Sequence, residues 1–316
     1  MELNLIFSYR MVVLRLIQFR AGYNLPVHVA MEMGHFARHG LKLDVIFTPG
    51  STYLMEALKA GHFEIGHAAA DDLVADVEAK KMSATEASEL FLFMGIFSGL
   101  ISLVGSPRNP DINSLRGKSL AVDARRNGFV LVLEKKLRSI GFGPKDYNLV
   151  EVGGWESRYR ALLEGKFAGT LLTPPYTGEA LKAGCHLLAH ADELIPVYQA
   201  TCGLACRSWA RENADALARY ICAYVEATRW CFDPKNRKDC LDLLMKHNGI
   251  KRPSAGDTLD ALLNPKNGLH PEAELNLAGI TAVLELRAEM GYLTFPVPAA
   301  EKYVDLSYYR RAVGYD

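Results

Sequence analysis

The stretch GSTYLMEALKAGHFEIG at residues 50–66 decides the fold, because GWESRYRALLEGKFAGT at residues 154–170 repeats its landmarks 104 positions later. Gly50 falls on Gly154, Ala57-Leu58 on Ala161-Leu162, Gly61 on Gly165 and Phe63 on Phe167. The correspondence extends without a gap, residues 14–68 over 118–172, so each half reads strand, turn, helix, strand, turn, helix, strand. Solenoid units run ~20 to 50 residues, so this period describes two similar lobes instead. Two facing lobes enclose a cleft, and a cleft is where small molecules bind.

Outward from the repeat, the first half predicts strands over residues 14–19, 41–47 and 63–70. Pro26 opens a helix whose first turn needs no N–H, with Asn24 as its cap and Gly40 as its end. A second helix covers 52–59, and a third starts at Asp71-Asp72. The apolar run 90–104 reads as one buried strand or two. The second half predicts strands at 119–123, 148–152 and 168–173 and helices at 129–140, 155–163 and 177–182. Strands joined by crossover helices form parallel sheets. Beyond residues 185–188 and 196–205 the chain turns helical, at 209–232, 237–246 and 271–290. Those helices are expected to pack on the first lobe, with 295–316 as a surface strap. The fold class is therefore α/β: two lobes with mainly parallel sheets around a central cleft, and extra C-terminal helices. Residues 12–101 with 200–316 make one lobe and 102–199 the other.

Charge bounds the partners. The 316 residues carry 36 Lys and Arg against 36 Asp and Glu, which gives no basic surplus for nucleic acid or an anionic membrane. The longest apolar runs are broken by Gly or Arg and fall short of the ~20 residues a spanning helix needs. The expected partner is a small-molecule ligand, with a monomer or weak dimer as the assembly. The start of the chain lacks the basic, apolar and small-residue order of an export leader. All six cysteines lie beyond residue 184, without a Cys-x-x-Cys pair. Both features predict a cytoplasmic protein from the sequence as given, or a periplasmic one if a leader has been removed.

In open parallel sheets, ligands meet the loops after the carboxyl ends of strands, where helix amino-termini present unpaired N–H groups. In the first half these loops hold Tyr23, Asn24, Ser51, Thr52, Asp71 and Asp72. In the second they hold Arg125, Arg126, Asn127, Gly128, Trp155 and Tyr176. Arg125-Arg126 beside a helix start predicts a seat for a carboxylate, sulfonate or phosphate. Micromolar binding needs ~8 kcal/mol, and a charge-assisted hydrogen bond supplies only ~1.5 to 3, so stacking on Tyr23, Trp155 or Tyr176 is required as well. Asp71 and Asp72 offer carboxylates to ligand N–H groups, though one of them serves as a helix cap. Glu156 and Arg158 read as solvent-facing helix residues. No cofactor and no metal is assigned: His35 and His39, four apart, have only Glu32 as a third ligand and read as a solvated face. No catalytic residue is assigned: a lone strand histidine such as His67 is more often structural, and only an enzyme would pair it as a base with Asp71 or Asp72. There is no nucleophile elbow, Walker loop, His-Glu-x-x-His or dinucleotide fingerprint.

Several of these segments resemble a known family. Asn24-Leu25-Pro26-Val27-His28, Met33-Gly34-His35-Phe36, Gly40-Leu41-Lys42-Leu43-Asp44, the run 57–66 and Leu115-Arg116-Gly117-Lys118 are similar to the solute-binding components of bacterial ABC importers. The likeness is to the taurine, alkanesulfonate and pyrimidine-precursor group, over about residues 13 to 250. It implies a type II periplasmic-binding fold, closing on its ligand about a two-stranded hinge near 98–104 and 196–205, and an ABC-transporter permease as partner. The implied function is capture of a small anionic, aromatic carboxylate or sulfonate for import. The alternative is a cytosolic enzyme on the same fold, a lyase, decarboxylase or hydrolase of a small aromatic acid. Aromatic sulfinate desulfinases of this group place a nucleophilic cysteine where this chain has Leu25. The thiamin-pyrimidine synthases carry a cysteine cluster that Cys202 and Cys206 do not reproduce.

Overall fold

The structure, a computed structural model, describes residues 11–81, 89–190, 193 and 195–314. The first half of the chain forms β1 (Val12–Gln18), α1 (Leu25–Glu32), α2 (His35–Arg38), β2 (Leu41–Phe47), α3 (Ser51–Lys59), β3 (Ile65–Ala69), α4 (Ala70–Lys81) and β4 (Leu90–Phe97). Next come β5 (Ser102–Gly105), β6 (Lys118–Val122), α5 (Gly128–Ser139), β7 (Tyr147–Glu151), α6 (Trp155–Leu163), β8 (Gly169–Leu172), α7 (Tyr176–Lys182) and β9 (His186–His190). The remainder supplies β10 (Thr201–Cys206), α8 (Arg207–Glu212), α9 (Ala214–Phe232), α10 (Arg237–Asn248), α11 (Arg252–Leu262), α12 (Leu277–Glu289) and α13 (Ser307–Val313).

Two five-stranded sheets result, ordered β2-β1-β3-β10-β4 and β7-β6-β8-β5-β9. In the first, β1 pairs parallel with β2 and β3, while β10 runs antiparallel to both β3 and β4. The second copies this plan, with β6 parallel to β7 and β8, and β5 antiparallel to β8 and β9. Four strands of each sheet thus point the same way, and one strand, β10 or β5, opposes them. The opposing strand is the one that has just crossed over from the other sheet. The apolar run 90–104 is accordingly two strands in different sheets.

Strand β4 buries all eight of its residues although it edges its sheet. Chain from beyond α11 covers that edge: Phe97 bridges Leu269, Leu92 bridges Val304, and Gly95 N–H donates to the Ala273 carbonyl. An apolar edge strand left bare invites pairing with other chains, and this cover removes the hazard. The tail then ends in α13, which packs on α9 and β4.

Three helical expectations change. Gly34, at φ 75°, splits the first helix into α1 and α2. Asn213 interrupts the expected 209–232 helix between α8 and α9. Helix α11, which carries Gly256 and starts at Arg252-Pro253, has no counterpart in the sequence reading. Nor do the C-terminal helices keep to the first half, since α11 packs on α7 and α12 packs on both α4 and α5.

Candidate functional site

The loops at the carboxyl ends of both sheets meet. Gly22 N–H donates to the Pro174 carbonyl at 3.0 Å, and Gly154 N–H to the Pro49 carbonyl at 2.9 Å. Ser51 N–H faces the Asp123 carboxylate at 3.3 and 3.4 Å, and Trp155 Nε1 donates to the Tyr23 hydroxyl at 3.3 Å. Between these contacts lies a cavity of about 20 Å³, walled by Phe19, Tyr23, Asp72, Asp123, Asn127, Phe129, Trp155, Arg158 and Thr201. That volume holds about one water molecule, so the lobes are drawn closed.

Its walls combine rings with a few charges. Phe19 meets Trp155 edge-on with centroids 6.4 Å apart, and Phe129 lies 5.8 Å from the same ring. Arg158 is only 3% exposed; Nε and Nη1 donate to the carbonyls of Gly153 (2.8 Å) and Leu171 (2.9 Å). Its guanidinium sits 4.3 Å over Trp155. Burial lowers its pKa to about 10, which leaves it charged at neutral pH. Its Nη2 has no hydrogen-bond partner among the described residues. Asp123, half-buried, also accepts from Asn127 Nδ2 at 3.2 Å. Asp72 is buried and accepts from Ala69 N–H at 3.3 Å. Burial first, then the neighbouring Asp123 and Asp71 carboxylates, raise its pKa well above the ordinary range.

Of the residues singled out from sequence, Tyr23, Asp72, Asn127 and Trp155 reach this cavity. Asn24 does not cap α1 with its side chain; Nδ2 donates instead to the Phe19 carbonyl and shapes the β1 loop. Ser51 and Thr52 border a separate open groove with Arg126, Asn127 and Asp72. The side chains of Arg125 and Arg126 are exposed, and Arg125 N–H donates to Glu151 Oε1 at 2.8 Å. Gly128 fits against Asp71, whose Cβ and Cγ lie 2.6 Å from where a side chain would begin. Asp71 is fully buried and paired with Arg287 of α12 rather than facing the cavity. Tyr176 packs on Tyr159, 5.5 Å away.

One sequence reading is corrected, and one alternative falls away. Arg158 is buried where a solvated helix face was expected: it stands three residues after Trp155 and four before Leu162, on the one buried face of α6, while Ser157, Arg160 and Leu163 stay exposed. His67 belongs to the core under α9: Nε2 lies 2.8 Å from the Tyr220 hydroxyl, and burial lowers its pKa to about 3. A base with Asp71 or Asp72 is not assembled.

Phe19, Asp123, Phe129, Arg158 and Thr201 escaped the sequence reading. The shift of 104 superposes Phe19 on Asp123 and Tyr23 on Asn127, so the two halves place matching positions on the cavity, although with Phe19 and Asp123 both missed neither marked the other.

Comparison with known proteins adds to this geometry. Residues 22–237 match the model of the family described as NMT1/THI5 like. The chain is 25% identical over 149 residues to the 4-amino-5-hydroxymethyl-2-methylpyrimidine phosphate synthase THI5 of Saccharomyces cerevisiae, with 46% of this chain and 40% of that one covered. It therefore spans less than half the length of that curated relative. It is 24% identical over 214 residues to a Brachyspira hyodysenteriae protein named as an ABC transporter periplasmic binding protein, covering 65% of this chain and 61% of that one. Among solved structures, the alkanesulfonate-binding protein SsuA from Xanthomonas axonopodis pv. citri, bound to MOPS, superposes with a TM-score of 0.74 at 17% identity, covering 93% and 98% of the two chains. The fold is that of the type II periplasmic-binding proteins.

Proposed function

This chain belongs to the NMT1/THI5-like family, and on that footing we propose that it captures a small solute between its two lobes for an ABC importer. The observation that carries this reading is the apposition of the two loop rims around one cavity, sealed by the Trp155–Tyr23 hydrogen bond. Opening about the two crossovers between the sheets admits the solute, and closure buries it. Delivery to a permease implies work on the outer side of the membrane.

The lining defines the ligand class. A cavity of about 20 Å³ has no room for a ring, so the solute enters an opened cleft, where Tyr23, Phe129 and Trp155 offer faces to stack on, each ring pair adding ~0.5 to 1.5 kcal/mol beyond area burial. A carboxylate, sulfonate or carbonyl oxygen faces Nη2 of Arg158, and N–H groups face Asp72 and Asp123. The anion seat foreseen at Arg125-Arg126 thereby moves to Arg158, and an amino-substituted aromatic ring bearing an oxygen acceptor suits the walls better than a simple anion.

The test is calorimetry with aromatic carboxylates, sulfonates and aminopyrimidines, with mass spectrometry of the mixture afterwards. One-to-one binding of unchanged ligand is expected, with Arg158→Lys weakening it at least tenfold because the donors of an ammonium all start from one nitrogen and do not span two carbonyls and the ligand as the planar guanidinium does. Equal affinity in that variant overturns the assignment of Arg158. The name of the yeast relative, a pyrimidine phosphate synthase, favours a second reading, an enzyme on the same fold. Catalytic loss of substrate in the same samples would establish it.

A further inference from the structure

His35 and His39 straddle α2, and the structure packs α2 against α9, where Cys222 and Glu226 stand one turn apart on one face. His39 Nε2 lies 2.8 Å from Glu226 Oε1, Cys222 Sγ lies 3.8 Å from the same oxygen, and His35 Nδ1 lies 3.1 Å from Glu226 Oε2. Among the described residues, His39, Cys222 and Glu226 are the only three His, Cys, Asp or Glu side chains whose ligand atoms all lie within 4.8 Å of one another. We propose that His39, Cys222 and Glu226 form a metal site for a zinc-class divalent cation, on the face of the first lobe away from the solute cavity.

The geometry suits the ion. A tetrahedral zinc with ordinary bond lengths separates nitrogen from oxygen by about 3.4 Å and sulfur from oxygen by about 3.6 Å. The observed 2.8 and 3.8 Å need only small side-chain movements to reach those values. Imidazole and thiolate select zinc over magnesium or calcium, which take oxygen ligands. The fourth position is open. His35 Nδ1 stays on the other carboxylate oxygen, Oε2, with Arg38 Nη2 2.7 Å from it. Arg38 Nη2 also lies 3.9 Å from Glu226 Oε2, and Arg38 is exposed, so its guanidinium can swing outward as the ion enters. Glu226 as a plain acceptor for two imidazoles accounts for the hydrogen bonds but leaves Cys222 without a purpose there.

The experiment is cobalt(II) titration of the metal-stripped full chain. One equivalent should produce a thiolate-to-cobalt charge-transfer band in the near ultraviolet and tetrahedral ligand-field bands in the visible, displaced by zinc and not by magnesium. Cys222→Ser, nearly the same size, should abolish the near-ultraviolet band. His39→Ala and Glu226→Gln should each weaken cobalt affinity at least tenfold. Cys206→Ser, which alters the other partly exposed thiol, should change nothing. A wild-type chain without the band, or a Cys222→Ser chain that retains it, overturns the site.

Discussion

Replacing Arg287 by Met strands a carboxylate in the core. Arg287 is 5% exposed, and its Nη1 donates to both carboxylate oxygens of the fully buried Asp71 at 2.8 Å. The same Nη1 lies 3.4 Å from the Arg126 carbonyl, on the rim of the other lobe. Removing one partner of a buried pair costs ~3 to 5 kcal/mol. The loss has a pH dependence with a definite sign. Burial already raises the Asp71 pKa against the opposing pull of Arg287, and without Arg287 it rises further. Between the unfolded and the raised folded pKa the native state holds the extra proton, so stability falls as pH increases, by up to ~1.4 kcal/mol per pH unit. The deficit of Arg287→Met is therefore expected to be larger at pH 8 than at pH 5, with a Tm drop on the order of 10 °C at pH 8. Thermal and guanidinium melts of both proteins at the two pH values measure it. Adding Asp71→Asn removes the stranded charge, and should recover most of the loss and flatten its pH dependence. A deficit equal at both pH values, or no recovery in the double variant, refutes the reasoning.

Asp72 follows the same sign with no cationic partner in contact among the described residues: its raised pKa makes the wild-type protein lose stability as pH rises through that value. Asp72→Asn is expected to melt above wild type at pH 8, with the gap closing toward pH 4; a gap that is constant or reversed contradicts this. Gly153 has φ 92°, and a side chain there would start 2.5 Å from the Pro49 carbonyl across the cleft. Gly153→Ala should hold the lobes apart, seen as a larger radius of gyration in solution scattering and at least tenfold weaker ligand binding with an unchanged circular dichroism spectrum. Wild-type compactness and affinity would show that this seam does not control closure.

The repeated segment made six strands legible, because β1, β2, β3 and β6, β7, β8 carry their own punctuation of Gly and Pro. What escaped is what depends on partners brought in by the fold. Arg158 shares the buried face of α6 with Trp155 and Leu162, yet its charge reads as solvated until the carbonyls of Gly153 and Leu171 come to meet it. Asp71 reads as a cleft residue until α12 arrives from more than 200 positions away with Arg287. Helix α11 is hidden by Gly256, which costs about 1 kcal/mol in a helix interior and is offset here by packing on α7. The three-ligand cluster at α2 needs two side chains from α9, which no spacing near His39 announces.

The opposing strand of the first sheet has a consequence for synthesis. β10 lies between β3 and β4, yet it leaves the ribosome about 100 residues after β4. At about 5 to 20 residues per second that interval lasts roughly 5 to 20 s, during which β3 and the wholly apolar β4 have no strand between them. The elements β5 to β9 are contiguous in the chain and need no such wait. The nascent protein is thus expected to complete its middle portion first while its amino-terminal strands remain exposed, which is when a chaperone would engage them.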